Sequence, residues 1–280
     1  MNAIRNKVDL ALKNKVVRLM CYMYLIISVF LTLFPFFWML VSSTNSNFDV
    51  QQRKLTFGTY FFNNLRNLIE ITNFTQAYRN SLVTATLGCI SMLIVCSMAG
   101  YGFSKYRSPG KTRVYGFLML SLMIPFSAIM IPLFRLMVSL NLINTLTAVV
   151  LPSISSVFLM FFFRQNFVKF PAEIIESARI DGAGEFRIFL SIVVPSMKAT
   201  YAAGAIWAFM FLWNNFLWPL LIIRTPAKQT LPLVLSAMSG AWFPDYGMIM
   251  LAVLLMVLPI LVLFLILQEH FVSGIVGASK

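Results

Sequence analysis

Six long stretches of this chain carry no Asp, Glu, Lys or Arg. They run between Arg18 and Asp49, Arg79 and Lys105, Arg113 and Arg135, Arg135 and Arg164, Lys198 and Arg224, and Asp245 and Glu269. Each holds the roughly 20 apolar residues that cross a bilayer as a helix. A charge at the centre of a span costs about 2.5–3.5 kcal/mol on insertion scales, so charges confined to the gaps point to lipid as the solvent. The pattern predicts an all-α integral membrane protein with spans near 18–42, 80–103, 114–137, 145–163, 201–223 and 247–268. Residues 1–17 are expected as a cytoplasmic amino-terminal segment and 18–280 as the membrane domain. The apolar runs are continuous, unlike the alternating strands of an outer-membrane barrel. The first run is longer than the apolar region of a signal peptide, and further spans follow it. Pro35, Gly88, Pro125, Pro132 and Pro259 fall inside spans, where kinks and close packing are tolerated.

Composition agrees. Of 280 residues 59% are hydrophobic and 11% charged, less than half the charged share of about 25% in soluble domains. The net charge of +13 comes from 22 Lys and Arg against 9 Asp and Glu. With the amino terminus inside, 15 of those cations fall on the cytoplasmic side and 7 outside, which selects that orientation and puts both termini in the cytoplasm. The excess suits anionic lipid headgroups. No basic stretch is interleaved with stacking aromatics on a polar surface, which argues against nucleic acid. Cys21, Cys89 and Cys96 lie in apolar stretches without metal spacing, and His270 is the single histidine, so no metal site is expected.

Several short motifs lead nowhere. Gly110-Lys111-Thr112 lacks the earlier glycine of a phosphate loop, since Lys105 stands there, and no strand precedes it. Asn73-Phe74-Thr75 matches a glycosylation acceptor only as a three-residue pattern. Nothing resembles a catalytic triad. The chain is therefore expected to be no enzyme and to hold no cofactor of its own.

The informative loop is 164–200, which carries four of the nine acids: Glu173, Glu176, Asp181 and Glu185. Pro171 can start a helix, with Glu173 and Glu176 near its positive end. Ile174, Ile175 and Ala178 fall on one face. Gly182 permits a stop or a sharp turn. A short amphipathic helix between two spans is thus predicted. Periodicity leaves two roles open for it: resting on headgroups, or docking a soluble partner. On the fifth span Trp207, Phe211, Asn214 and Trp218 follow i, i+4, i+7, i+11 spacing. Trp207, Phe211 and Asn214 are candidates for contacts along a substrate path, against plain helix packing. Trp218 is expected in the outer aromatic belt.

Glu176-Ser177-Ala178, Gly182 and Ile192-Val193-Val194-Pro195, at their spacing, resemble the EAA loop of type I ABC-importer permeases. Ser177 and Val194 depart conservatively from the usual alanine and leucine. Asn80-Ser81-Leu82, Tyr101-Gly102-Phe103, Pro109-Gly110, Asn144-Thr145, Arg164-Gln165-Asn166-Phe167, Trp213 to Pro219 and the closing Gly277-Ala278-Ser279-Lys280 are similar to the carbohydrate branch, in particular the second permease of maltose-type importers. Asn215 departs from the acid often found there. The resemblance implies the permease fold and sugar uptake by alternating access. It also implies a coupling helix engaging an ATPase through Glu176, Ala178, Asp181, Gly182, Ile192 and Pro195. The implied partners are a second homologous permease, two ATPase subunits that bind ATP and Mg²⁺, and an extracytoplasmic sugar-binding protein. The alternatives are an importer permease for amino acids or peptides and a secondary transporter. The latter usually keeps ionisable groups inside its spans, and the charge-free stretches hold none.

Overall fold

A computed structural model describes residues 15–106 and 108–277, and only the backbone of residue 16 and of residues 270–277. Most of segment 1–17, Arg107, the His270 side chain and Ala278-Ser279-Lys280 lie outside the described residues. Among the described residues the regular structure is helical throughout. In chain order the α-helices are α1 (Lys15–Ser43), α2 (Asn47–Gln51), α3 (Phe61–Ile71), α4 (Phe74–Lys105), α5 (Lys111–Ser121), α6 (Phe126–Ser139), α7 (Leu146–Val150) and α8 (Val157–Val168). They continue with α9 (Ala172–Ile180), α10 (Glu185–Ile188), α11 (Val194–Ser196), α12 (Lys198–Trp213), α13 (Leu217–Ile222), α14 (Leu231–Ser239) and α15 (Tyr246–Gly277).

Among the described residues four segments are each long and apolar enough to cross a bilayer: Val17–Ser43, Phe74–Lys105, Lys198–Ile222 and Tyr246–Glu269. Two more apolar stretches are bent pairs, α5 with α6 by 101° and Leu146–Ser153 with α8 by 42°. Counting each pair as one span gives six crossings. The stretch 114–137, expected as one helix, is therefore two. Pro125 supplies no N–H and stands extended (ψ 143°) at the start of α6. Leu122, Met123 and Ile124 close the end of α5 with tight bonds to the carbonyls three residues back. The stretch 145–163 is likewise interrupted, at Ser156, whose Oγ accepts from Leu159 N as α8 begins.

Contacts divide the chain into two compact units, residues 1–68 with 242–254 and residues 69–241 with 255–280. In the first unit the carbonyls left over at the end of α1 find side-chain donors. Buried Asn45 donates to the carbonyls of Val41 (3.0 Å) and Thr56 (2.9 Å). Buried Asn64 donates to those of Ser43 and Asn45, both at 2.9 Å. These two buried asparagines thus serve the chain's own backbone.

In the second unit α4 is the central element, packing most extensively against α8 and α12. Small residues set the approach. A Cβ on Gly100 would stand 2.8 Å from the Phe163 Cβ and 2.9 Å from the Arg164 nitrogen, so only glycine lets α4 and α8 come this close. A separate cluster gathers Met137, Ala148, Val149, Trp218, Ile222 and Leu233. The Asn80-Ser81 pair of α4 fastens the loop before α14. Asn80 Nδ2 donates to the carbonyls of Ala227 (3.0 Å) and Gln229 (2.9 Å), and Ser81 Oγ accepts from Leu231 N at 2.7 Å. Asn144, at φ 60°, accepts on Oδ1 from the backbone nitrogens of Arg224 and Thr225 at 3.1 and 3.2 Å. Asn tolerates this left-handed conformation better than most residues.

Candidate functional site

The loop after α8 folds as α9, beginning at Ala172 directly behind Pro171. Its end is a Schellman turn. Gly182 N–H donates to Arg179 O and Ala183 N–H to Ala178 O, each at 3.0 Å, and Gly182 takes φ +80°. A Cβ at Gly182 would meet nothing within 4 Å, so the demand for glycine is one of backbone conformation and not of space.

Ile175 and Ala178 are buried against the chain's own second unit. Ile174, Glu176, Ile180 and Asp181 are exposed, Ile180 to 87%. Ala178 therefore belongs to the face that seats α9, while Glu176 and Asp181 are exposed on different sides of the helix end, Glu176 toward the end of α4. Ile192 is half-buried on the π-turn Phe189–Val193, and Pro195 is exposed at the start of α11. The loop thus brings Glu176, Ala178, Asp181 and Gly182 together on one short helix and its turn, with Ile192 and Pro195 a further segment along.

Four residues that periodicity passes over hold this segment in place. Arg179 donates Nε to Glu185 Oε1 (2.6 Å) and a second nitrogen to Oε2 (3.2 Å). Tyr106 donates its hydroxyl to the same carboxylate at 2.8 Å. Lys105 donates Nζ to the carbonyl of Phe170, just before α9, at 2.6 Å. Bonds from Arg179 and Tyr106 hold the Glu185 carboxyl below the usual carboxylate range. Burial and the Glu185 bond push the Tyr106 phenol up to about 12. The Arg179–Glu185 side chains are about 40% exposed, and such pairs contribute only about 0–1 kcal/mol, so the bridge fixes geometry more than it adds stability. A cleft of about 580 Å³ opens between the end of α4 (Ser104, Lys105, Tyr106) and α9 (Ala172, Ile175, Glu176, Arg179). Arg179 and Glu185 lie six residues apart and Tyr106 and Glu185 seventy-nine. No helical or strand spacing could have signalled either pair.

The fifth-span stripe is interrupted. Trp207 and Phe211 are stacked at 5.2 Å with planes 14° apart, and Phe158 lies 4.7 Å from Trp207. Trp207 is half-buried and Phe211 is 48% exposed. Asn214 is exposed and closes α12, its Nδ2 donating back to Met210 O at 3.0 Å. The chain then leaves the helix before α13, and Trp218 falls off the stripe. Trp218 is not a belt residue. It is 2% exposed, sits edge-on to Phe126 and donates Nε1 to Ala148 O.

Residues 93–277 match the family model described as the binding-protein-dependent transport system inner membrane component. The chain is 40% identical over 269 residues to the lactose transport system permease protein LacG of Rhizobium radiobacter, covering 96% of this chain and 98% of that protein. It is 35% identical over 260 residues to the arabinooligosaccharides transport system permease protein AraQ of Bacillus subtilis (strain 168), with 89% and 91% covered. It is 31% identical over 270 residues to the sn-glycerol-3-phosphate transport system permease protein UgpE of Yersinia pestis, with 93% and 96% covered. Among solved structures, a bacterial ABC transporter involved in the import of the acidic polysaccharide alginate superposes with a TM-score of 0.80 at 20% identity, over 92% of this chain and 98% of that one.

Proposed function

Because the chain belongs to the family of binding-protein-dependent transport system inner membrane components, we propose that it forms, with a second homologous permease subunit, the membrane path of an ABC importer for sugars. In this reading two ATPase subunits bind ATP and Mg²⁺ and supply the driving force. An extracytoplasmic sugar-binding protein delivers the substrate. The chain breaks no covalent bond itself. The amino terminus and α9 lie in the cytoplasm, as the distribution of Lys and Arg favours.

The observation that carries the proposal is the two-sided character of α9. Ile175 and Ala178 seat the helix, and the rest of its surface leaves Glu176, Asp181, Ile174 and Ile180 exposed to a partner. A helix that only rested on anionic headgroups would have no use for carboxylates beside its exposed Ile174 and Ile180. Glu176 and Asp181 fit a basic rim on an ATPase cleft, and Gly182 lets the helix end abruptly there. Sugars are favoured because relatives of 40% and 35% identity carry lactose and arabinooligosaccharides in their names, and the Trp207–Phe211 stack offers aromatic faces to a sugar ring. The test is reconstitution with the ATPase, the second permease and the binding protein. ATP hydrolysis and uptake should rise with a di- or oligosaccharide bound to that protein. Stimulation by glycerol phosphate, an amino acid or a peptide alone would overturn the sugar assignment. An assembly that transports without ATP would overturn the importer.

A further inference from the structure

The apolar segments differ in stiffness. Pro35 lies in α1 and Pro259 in α15, α5 and α6 meet at 101°, the α7–α8 stretch bends by 42°, and α12 stops at Trp213 before the Pro219 of α13. α4 alone among the described spans runs 32 residues without a proline or a break. At 1.5 Å per residue it is a rod of about 48 Å.

Both ends of this rod are tied to loops. Near its start, Asn80 and Ser81 hold residues 227–231 through three hydrogen bonds of 2.7–3.0 Å. At its finish, two consecutive residues hold the two flanks of α9. Lys105 binds the Phe170 carbonyl ahead of the helix, its ammonium also 5.8 Å from the Phe170 ring centre. Tyr106 donates to Glu185 beyond the helix, and Glu185 accepts two further bonds from Arg179 in the last turn of α9. Tyr101 makes ring contacts with Tyr106, Phe167 and Phe189 beside these bonds. The short helix is therefore held before and behind by the end of one span.

We propose that Lys105 and Tyr106 are positioning residues that make α9 and α4 move as one body, so that displacement of α9 reaches residues 227–231 at the far end of the rod. The inference rests on the importer reading above and says which span carries the stroke. Both line the cleft beside Glu176, but their bonds go to Phe170 and Glu185 on the flanks of α9, not to Glu176 or Asp181. Removing the grips should leave the ATPase bound but disconnect it from the membrane path.

The experiment uses the complete transporter with Lys105→Met and Tyr106→Phe, singly and together, and Lys105→Arg as the conservative control. Lys105→Met keeps the apolar stem, and Tyr106→Phe removes only the hydroxyl. In the double variant the ATPase subunits should copurify as in wild type and unstimulated hydrolysis should persist. Stimulation by sugar-loaded binding protein, and uptake, should fall by about tenfold or more, a coupling loss of ordinary size. Lys105→Arg should retain stimulation, and the thermal midpoint of the double variant should stay within a few degrees of wild type. A double variant that still responds to binding protein and transports at the wild-type rate overturns the proposal. So does one that sheds its ATPase subunits, for the grips would then only shape the docking face. If the wild-type assembly itself binds no ATPase, the importer reading falls and this inference with it; if wild type couples and the double variant couples equally, the inference falls alone.

Discussion

Trp218 on α13 donates its indole N–H to the carbonyl of Ala148 on α7 at 2.8 Å, with both residues almost fully buried. The bond ties together two short helices that neither length nor propensity would stabilise alone. Trp218→Phe keeps most of the ring but strips the buried carbonyl of its donor, at a cost of about 1–3 kcal/mol. Trp218→Ala also opens a cavity and should cost about 3–5 kcal/mol. Thermal unfolding of the purified protein should rank wild type above the Phe variant and the Phe variant above the Ala variant. An Ala variant as stable as wild type would contradict the burial.

The orientation of the chain is open to labelling. In a background cleared of Cys21, Cys89 and Cys96, a cysteine replacing Asn63 should react with a membrane-impermeant thiol reagent added to intact cells. One replacing Lys111 should react only after the membrane is opened. The reverse pattern would place α9 outside and remove the coupling proposal with it. Lys111 donates to the Tyr106 carbonyl, so the same variant also reports on the end of α4.

Gly182 and Ala178 separate two requirements of α9. Gly182→Val forces a β-branched side chain to φ +80°, a strain of about 1–3 kcal/mol. Gly182→Asn has the residue type that best tolerates that region. The Asn variant should couple near wild-type level while the Val variant loses binding-protein-stimulated hydrolysis. Ala178→Asp puts a carboxylate into the seat of α9, where it is desolvated without a partner. That variant should insert normally and lose ATPase copurification. Equal coupling by the Val and Asn variants would show that the left-handed turn is dispensable.

Along the fifth span the stacked pair and the amide can be told apart. Phe211→Ala leaves Trp207 with Phe158 but removes its second stacking partner. If the pair faces the path, the variant should weaken apparent sugar affinity by about three- to tenfold, the size of an aromatic contact. Asn214 already spends one amide hydrogen on Met210. Its carbonyl oxygen remains available, so Asn214→Ala should alter specificity among sugars more than the maximal rate. Wild-type affinity and specificity in both variants would take this stripe off the path.

What the sequence discloses depends on the range of each interaction. The apolar stretches are local and continuous, and the helical spans follow from them. Pro171, Glu173 and Gly182 mark α9 within ten residues on either side, because a start, a favourable first turn and a left-handed stop are all written locally. The 101° bend was not legible: a charge-free stretch records only that lipid accepts it, and Pro125 is compatible with a mild kink as well as a sharp corner. Trp218 misled for the same reason. Its spacing assumes a helix that continues through Asn214, and the chain departs from helix there. The meeting of Tyr106, Arg179 and Glu185 was not legible, because it depends on where α4 ends relative to α9, a fact of packing.

The amino-terminal helix obeys a different logic from the rest. From Leu19 to Phe37 every large apolar side chain of α1 is exposed, on all sides of the helix. Apart from Phe37, which meets Phe57 edge-on, their own chain imposes little shape on these side chains, so one oily group can stand for another. Exchanges among Leu, Ile, Val, Phe and Met should pass unnoticed by folding there, whereas a change of a single methyl between Gly100 and Phe163 should not. For this stretch the text that matters is its length and its greasiness, and the spelling is free.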